Sequence, residues 1–382
     1  MKTRVEPGLD VLLSEGAVRA LSGQRIGLVT NMSSVTRALE PTRDALRDAG
    51  VQLVALFGPE HGFSATVADA EPVPSSRDRH TGLPVYSLFG DTYKPTSAML
   101  DGLDALVYDL QDVGVRFYTF TTTLAFLLEA CAEHHFPLVV LDRPNPITGL
   151  LVEGPLLDPS QQSFLGHGPL PLRYGLTLGE LANFYNRELN LGAPLQVVTM
   201  RGWSRAQWYD DTDLLWVPPS PGMPHFDTAV IYPGTCLIEG TNVTEGRGTP
   251  LPFEIIGAPW IDGEALAAEL NAQRLEGVRF RAVIFTPSEW KYTHQQCEGV
   301  QVHVTDRAAL RPVNMGLHLV RTLREMYPVQ FAWRAEHFDV LIGNTTAREQ
   351  LECGVSVETI TEAWEGEQAA FQSRSHAYWL YD

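Results

Sequence analysis

The first 150 residues alternate between short apolar runs and longer segments with helical periodicity. Helical patterns cover 42–49 and 122–134. The runs that have the length and continuous apolar character of buried strands are 25–31, 51–57, 105–109 and 136–142. Strands that are apolar on both faces must be covered by helices on both sides, so this alternation predicts a parallel sheet in an α/β fold.

The rest of the chain predicts a second unit of the same class. The segment 147–224 is rich in proline and contains one clear helix, 177–189, which begins with Thr177 and Glu180 at the spacing of a capping box. After it come strand patterns at 279–285 and 300–304 and helical patterns at 262–273, 314–327 and 356–371. A chain of 382 residues exceeds one ordinary core. The rigid, Pro-rich stretch 218–224 therefore marks the boundary that we predict between residues 1–220 and 221–382.

Polar side chains follow each of the four N-terminal strand patterns. Because the carboxyl ends of parallel strands share one edge of a sheet, these side chains are expected to meet there. Each of them alone is equally well explained as a helix cap or a loop hydrogen-bonding group, but four clusters on one edge favour a shared pocket. The residues that this argument selects are Thr30, Asn31, Glu60, His61, Asp109, Gln111, Asp112, Asp142 and Arg143. Asn145, in the proline-flanked segment 142–146, is expected to face the same edge.

Two further segments carry candidate chemistry. The segment 236–249 combines Glu239, Asn242, Glu245 and Arg247 with three glycines, which allow close approach of the backbone to a ligand. An arginine in such a loop can hold a carboxylate through two hydrogen bonds. Neither GxxxxGK[ST] nor GxGxxG occurs, which argues against a phosphate-binding loop.

The segment 109–119 adds Arg116 and Tyr118 to the carboxylates that begin it. Arg116 can equally form a local ion pair with Asp112.

Composition and charge exclude several classes of partner. The net charge of −18 argues against nucleic acid or an anionic membrane as a partner, since both need clustered cations. The four cysteines are far apart, the histidines are scattered and HExxH is absent, so we expect no bound metal and no cofactor. The N-terminus lacks the apolar core of a signal peptide, and no apolar run is long enough to span a membrane; we therefore expect a soluble, cytoplasmic protein.

Paired carboxylates with arginine, tyrosine and aromatic residues suit the hydrolysis of a glycosidic bond. Four segments make the assignment more specific. They resemble the exo-β-N-acetylmuramidase family NamZ, and their sequences are GPEHG at 58–62, YDLQDVGVRFYT at 108–119, DRPNP at 142–146 and EGTNVTEGRGT at 239–249. The resemblance implies a Rossmann-like N-terminal domain, a smaller C-terminal α/β domain and an active-site cleft between them. It also implies removal of a terminal N-acetylmuramic acid (MurNAc) from the non-reducing end of peptidoglycan fragments such as MurNAc-GlcNAc.

On this resemblance Glu60 is the expected general acid. Glu245 is the first candidate for the second catalytic carboxylate and Glu239 the next, with Asp109 and Asp112 as rivals. Arg116 or Arg247 would recognise the lactyl carboxylate that distinguishes MurNAc from N-acetylglucosamine (GlcNAc). The residues expected to line the pocket are His61, Asp109, Asp112, Arg116, Tyr118 and Asn145.

Two alternatives stay open on the sequence. The same cleft could belong to a binding protein that holds a sugar or muropeptide without turnover. It could also belong to a metal-dependent hydrolase that uses His61 and the aspartates. A cytoplasmic muramidase would act on imported fragments during cell-wall recycling, and the oligomeric state is left open.

Overall fold

The computed structural model describes residues 3–14 and 16–382 of the chain. Within these residues the strands are β1 (Arg25–Thr30), β2 (Gln52–Gly58), β3 (Ser76–Arg77), β4 (Pro84–Ser87), β5 (Ala105–Asp109), β6 (Leu138–Leu141), β7 (Glu153–Leu156), β8 (Pro171–Arg173), β9 (Leu195–Val198), β10 (Ile255–Ala258), β11 (Val278–Phe285) and β12 (Cys297–Val304). The helices are α1 (Gly8–Ser14), α2 (Thr42–Asp48), α3 (Ser97–Leu100), α4 (Phe120–Glu133), α5 (Leu178–Glu188), α6 (Phe226–Thr235), α7 (Gly263–Ala272), α8 (Pro312–Met326), α9 (Ala335–Ile342), α10 (Thr346–Glu352), α11 (Val357–Glu362) and α12 (Glu365–Ser375).

The main sheet confirms the predicted α/β class. Its strand order is β3-β4-β2-β1-β5-β6-β9, and every neighbouring pair is parallel except β3 and β4. Without the two-residue β3, this order is that of a doubly wound sheet, in which the order of the strands reverses between β1 and β5. The four strands predicted from apolar runs are β1, β2, β5 and β6. The sequence prediction missed β4 and β9, which are short and lie towards the edges of the sheet.

Local sequence explains why these elements form. All five residues of β5 are buried, as a strand covered by helices on both faces requires. Thr177 and Glu180 form the predicted capping box at the start of α5, with each side chain bonded to the backbone of the other residue. Gly27 in β1 is needed for close packing, because a Cβ atom there would lie 2.8 Å from the ring of Phe57.

The second half contains an antiparallel sheet of order β10-β12-β11, packed against α7. The single helix expected over 356–371 is wrong, since the chain forms α11 and α12 with a break at Ala363 and Trp364. The indole of Trp364 packs into the core at this break.

The two halves are tied together by packing. One continuous cluster of buried apolar side chains runs from Val29 in β1 to Tyr378 near the C-terminus. The last residues of the chain return to the first half, where Tyr381 donates a hydrogen bond of 2.6 Å to Asp142. The stretch 218–224, where we predict the domain boundary, contains no helix or strand. The division at residue 220 stays a prediction.

Across the described ranges, no helix combines the length and the apolar character that crossing a membrane demands.

Candidate active site

The turn after β2 places Glu60 and His61 at the edge of a cavity. Gly58 ends the strand so closely against the returning chain that a Cβ atom there would lie 2.7 Å from the backbone nitrogen of Phe63. His61 has a left-handed backbone with a φ of 67°, which is uncommon for a residue with a side chain. Such strain is often retained where function requires it.

The carboxylate of Glu60 is held by two hydrogen bonds. The hydroxyl of Thr119, just before α4, donates to Oε2 at 2.6 Å, and the backbone N–H of Ala70 donates to Oε1 at 3.0 Å. Thr119 does not cap α4 with its side chain. The hydroxyl of Thr119 is therefore available to orient Glu60. Only 8% of Glu60 is exposed.

His61 is held by a hydrogen bond at one ring nitrogen, and its other ring nitrogen faces a carboxylate. Its Nδ1 lies 2.9 Å from the carbonyl oxygen of Val67, which can only accept, so Nδ1 carries the proton. Its Nε2 lies 3.4 Å from the carboxylate of Asp69. Burial is the main effect on this imidazole and lowers its pKa, whereas nearby Glu60 acts in the opposite direction. The ring is therefore neutral at pH 7.

The opposite wall of the cavity is built by the second half of the chain. Glu239 lies on a 3₁₀ segment, Cys236–Gly240, that continues from α6. Its Oε1 accepts two hydrogen bonds from Arg247, at 2.9 and 2.6 Å, and its Oε2 lies 3.4 Å from Nε2 of His337. A Cβ atom on Gly240 would lie 2.5 Å from Cβ of Phe338, so glycine lets this segment pack directly on α9.

Burial changes the proton affinities of this wall. Desolvation and the neighbouring Glu245 raise the pKa of Glu239 to about 8, although Lys291 and Arg334 act in the opposite direction. Desolvation, followed by Arg334 and Lys291, lowers the pKa of His337 to about 4. At neutral pH Glu239 is thus protonated and His337 is neutral.

Arg247 connects the two walls. Besides Glu239, its guanidinium contacts the carboxylate of Asp69, from the segment that follows His61, and lies 3.3 Å from Glu245. Its guanidinium carbon lies 4.7 Å from the centre of the Phe253 ring. Burial lowers the pKa of Arg247 to about 10, so it remains charged at neutral pH.

The cavity enclosed by these groups has a volume of about 300 Å³. The sequence-predicted residues that the structure brings together around it are Glu60, His61, Tyr118, Glu239 and Arg247. A second, more open cavity of about 560 Å³ adjoins it and shares four residues, Asp69, Gly222, Arg247 and Trp290.

Seven other predicted residues do not line this cavity: Asn31, Asp109, Asp112, Arg116, Asn145, Asn242 and Glu245. Asp109 is completely buried, forms an ion pair with Arg143 and accepts a hydrogen bond from Thr42. Asp112 accepts hydrogen bonds from Tyr174 and from the backbone N–H of Gly114, and burial raises its pKa to about 6. Both carboxylates are therefore parts of the interior.

Arg116 is also an interior residue. Its guanidinium donates to four backbone carbonyl groups, those of Pro155, Leu170, Leu341 and Ile342, at 2.8 to 3.1 Å. It does not pair with Asp112. Burial without a carboxylate partner lowers its pKa to about 9.

The three asparagines connect segments of backbone. Asn31 donates to the carbonyl of Pro219, Asn145 donates to that of Leu176, and Asn242 donates to that of Gln330. Glu245 is fully buried, and its Oε2 accepts a hydrogen bond of 3.0 Å from Lys291.

Sequence reasoning missed several residues that line the cavity: Asp69, Thr119, Tyr232, Phe253, Trp290, Arg334 and His337. Thr119 ends the segment 109–119 and so carried a signal, whereas Asp69 lies in the loop that follows His61. Arg334 and His337 carried none, since they begin a helix about 95 residues after Glu239.

Among residues 3–14 and 16–382, no three His, Cys, Asp or Glu side chains are grouped in a way that could hold a metal ion.

Comparisons with known proteins agree with this architecture. A family model described as the N-terminal part of exo-β-N-acetylmuramidase NamZ matches residues 26–227, and its C-terminal counterpart matches residues 230–381. The peptidoglycan β-N-acetylmuramidase NamZ of Bacillus subtilis (strain 168) is 45% identical over 382 residues, which cover 100% of this chain and 92% of that protein.

Two crystal structures of DUF1343 family proteins from Bacteroides fragilis NCTC 9343 share the fold. One superposes with a TM-score of 0.92 at 36% identity and covers 100% of both chains. The other has a TM-score of 0.81 at 29% identity and covers 99% of both chains. With both halves matched in order and almost end to end, this chain belongs to the exo-β-N-acetylmuramidase NamZ family.

Proposed function

We propose that this protein is a glycoside hydrolase that removes MurNAc from the non-reducing end of peptidoglycan fragments. The name of the B. subtilis relative supports the reaction, because that protein is a peptidoglycan β-N-acetylmuramidase and its similarity covers the whole chain. The observation in this chain that carries the proposal is that Glu60 and Glu239 line one small cavity, together with Asp69, whose carboxylate pairs with Arg247. Hydrolysis of a glycosidic bond uses a pair of carboxyl groups.

The size of the cavity supports removal of one sugar at a time. Its volume of about 300 Å³ lies at the small end of the range for ligand pockets, as suits a single terminal sugar. The adjoining, more open cavity then has room for the remainder of the fragment.

We infer that Glu239, rather than Glu245, is the second catalytic carboxyl group. Glu239 borders the cavity, whereas Glu245 is fully buried against Lys291 and Arg247. A raised pKa of about 8 makes Glu239 the better proton donor at neutral pH. Glu60, which accepts hydrogen bonds at both oxygens, then acts as the partner carboxylate in place of the general acid expected from the sequence.

The test is release of free MurNAc from MurNAc-GlcNAc, measured with chelator for the wild type, Glu60→Gln and Glu239→Gln. Each substitution is expected to reduce kcat by about 10²- to 10⁴-fold. Binding of the disaccharide without release by the wild type would instead support a non-catalytic binding protein. Loss of wild-type activity on chelation would support a metal-dependent hydrolase.

An aryl substrate separates the two carboxyl roles. A 4-nitrophenolate group leaves without being protonated, so Glu239→Gln is expected to retain far more activity on 4-nitrophenyl MurNAc than on the disaccharide. Glu60→Gln is expected to lose activity on both substrates. In the wild type, kcat on the disaccharide should fall as the pH rises through about 8, because Glu239 then loses the proton that it donates. The reverse pattern between the two variants would restore Glu60 as the general acid.

We further propose that the enzyme acts in the cytoplasm on disaccharide-sized fragments. Its four cysteines are unpaired, and three of them are buried, as is usual in a reducing compartment. Fractionation of cells that produce the full-length protein, followed by immunodetection, tests this location.

A further inference from the structure

MurNAc and GlcNAc differ in one group, the lactyl ether on O3 of MurNAc, which carries a carboxylate. A site that selects MurNAc therefore needs a cation near the sugar whose charge is not already neutralised by protein carboxylates. Arginine suits this purpose because its planar guanidinium binds a carboxylate through two parallel hydrogen bonds. The candidates are Arg116, Arg247 and Arg334.

Arg116 and Arg247 are both occupied. The guanidinium of Arg116 is enclosed by backbone carbonyls and does not border the cavity. Arg247 borders the cavity, but its guanidinium already contacts the carboxyl groups of Asp69, Glu239 and Glu245. A further carboxylate at Arg247 would lie beside the negatively charged carboxylates of Asp69 and Glu245, and like charges repel.

Arg334 differs from both. It borders the same cavity, and its side chain is exposed. Within the part of the chain that the structure describes, its guanidinium makes no ion pair, and its side-chain hydrogen bond goes to the backbone carbonyl of Glu239 at 3.2 Å. It lies close enough to this wall to lower the pKa values of both Glu239 and His337.

The backbone that carries Arg334 is held rigidly against the catalytic segment. The N–H of Arg334 donates to the carbonyl of Gly240 at 2.8 Å, and Trp333 forms a β-bridge with Thr241. The side chain of Asn242 holds the preceding turn, since it donates to Gln330 and accepts from the N–H of Ala332. Asn242, one of the candidate residues of the segment 236–249, is therefore a positioning residue for this segment. Such support reduces the conformational freedom that binding would otherwise remove.

We propose that Arg334 forms the carboxylate subsite of this enzyme and binds the lactyl carboxylate of the terminal MurNAc. This inference rests on the proposed function and names the residue that makes it selective. The role of Arg247 is then to hold the carboxyl groups of Asp69, Glu239 and Glu245 in place.

The experiment compares the binding of free MurNAc and free GlcNAc by calorimetry, for the wild type and Arg334→Ala. We expect Arg334→Ala to weaken MurNAc binding by about tenfold, as loss of a hydrogen bond to a charged group does, and to leave GlcNAc binding unchanged. Arg334→Lys keeps the charge but lacks the planar guanidinium. Its affinity for MurNAc is expected to lie between those of the wild type and Arg334→Ala. Arg281→Ala is the matched control, because Arg281 is an exposed arginine on β11 outside the cavity.

Two results would overturn the assignment. Unchanged preference for MurNAc over GlcNAc in Arg334→Ala would exclude Arg334 as the carboxylate site. Equal weakening of both sugars would show that the residue only supports the wall around Glu239. Release of MurNAc by the wild type is measured in parallel, so a failure of the proposed reaction is distinguished from a failure of this subsite.

Discussion

The carboxyl ends of β2 and β5 lie at the same edge of the same sheet, yet only the first of them borders the cavity. After β2, Glu60 and His61 border an open cavity. At the end of β5, Asp109 is enclosed by Arg143 and Thr42 and does not line that cavity. In doubly wound sheets the ligand crevice usually forms where the strand order reverses, here between β1 and β5. In this protein that position is filled by a salt bridge, and the cavity lies to one side of it.

The difference arises from what packs over each strand end. Arg143, which follows β6, reaches across the edge and donates to both oxygens of Asp109 and to the carbonyl of Val35. Over β2, the covering elements come from the second half of the chain and leave a gap. A polar residue at a strand end can therefore line a site or form an enclosed structural contact. The elements that pack over it decide between these two roles.

The largest expected effect comes from a substitution after β2, at the strand end that borders the cavity. This substitution should leave the enclosed end of β5 unchanged. Glu60→Gln should reduce MurNAc release by about 10²- to 10⁴-fold, because the variant loses the charge of a catalytic carboxylate but keeps the shape of the side chain. Its free energy of unfolding, from urea denaturation, should stay within about 1 kcal/mol of the wild type. A large loss of stability would mean that Glu60 is structural, like Asp109.

Asp109→Asn should show the opposite behaviour. The substitution leaves Arg143 buried without its charged partner, and breaking a buried ion pair in this way costs about 3–5 kcal/mol of stability. Urea denaturation measures the loss, and kcat of the protein that remains folded should be close to that of the wild type. A stable but inactive variant would place Asp109 in the catalytic machinery.

Glu239 and Glu245, both in the segment 236–249, show the same contrast between a carboxyl group at the cavity and one that is enclosed. Glu245→Gln removes the ionic partner of Lys291 and should cost about 1–3 kcal/mol of stability, with the smaller effect on turnover. Glu239→Gln should mainly reduce turnover of the disaccharide. Denaturation and MurNAc release, measured side by side, test the assignment, which would fail if Glu245→Gln were the more inactive of the two.

The last expected effect concerns the pH dependence of protein stability near the enclosed end of β5. Burial raises the pKa of Asp112 from 3.8 to about 6, so the folded state binds a proton that the unfolded state has already lost between these values. The contribution of this group is therefore fully present below about pH 4 and is lost as the pH rises through about 6, a change of roughly 3 kcal/mol.

Asp112→Asn removes this titration and still offers an acceptor to Tyr174. Between pH 4 and pH 7, unfolding free energies of the wild type should therefore fall relative to those of the variant. Parallel curves for the two proteins would contradict the raised pKa.

Whether a site residue can be predicted from the sequence depends on whether its role is determined by residues that are close to it in the chain. The turn that presents Glu60 and His61 is readable because an apolar strand, a glycine and a proline occur in succession. Asp109, Asp112 and Asn145 show the same local pattern, and nothing in it indicates that Arg143, Tyr174 and Leu176 provide their partners. Arg334 and His337 were missed because their relation to Glu239 exists only after α9 packs on the segment that contains it.

By itself the sequence determined the α/β class, the central strands, the capping box of α5 and the family, because apolar periodicity, turn residues and long motifs are local properties. Only the tertiary structure decided which polar groups face a cavity and which are closed off. Burial, ion pairing and pKa depend on neighbours that are distant in the chain. Arg116 and Arg334 illustrate this division, since the arginine inside a recognisable motif is enclosed by carbonyl groups and the one outside any motif is exposed at the cavity.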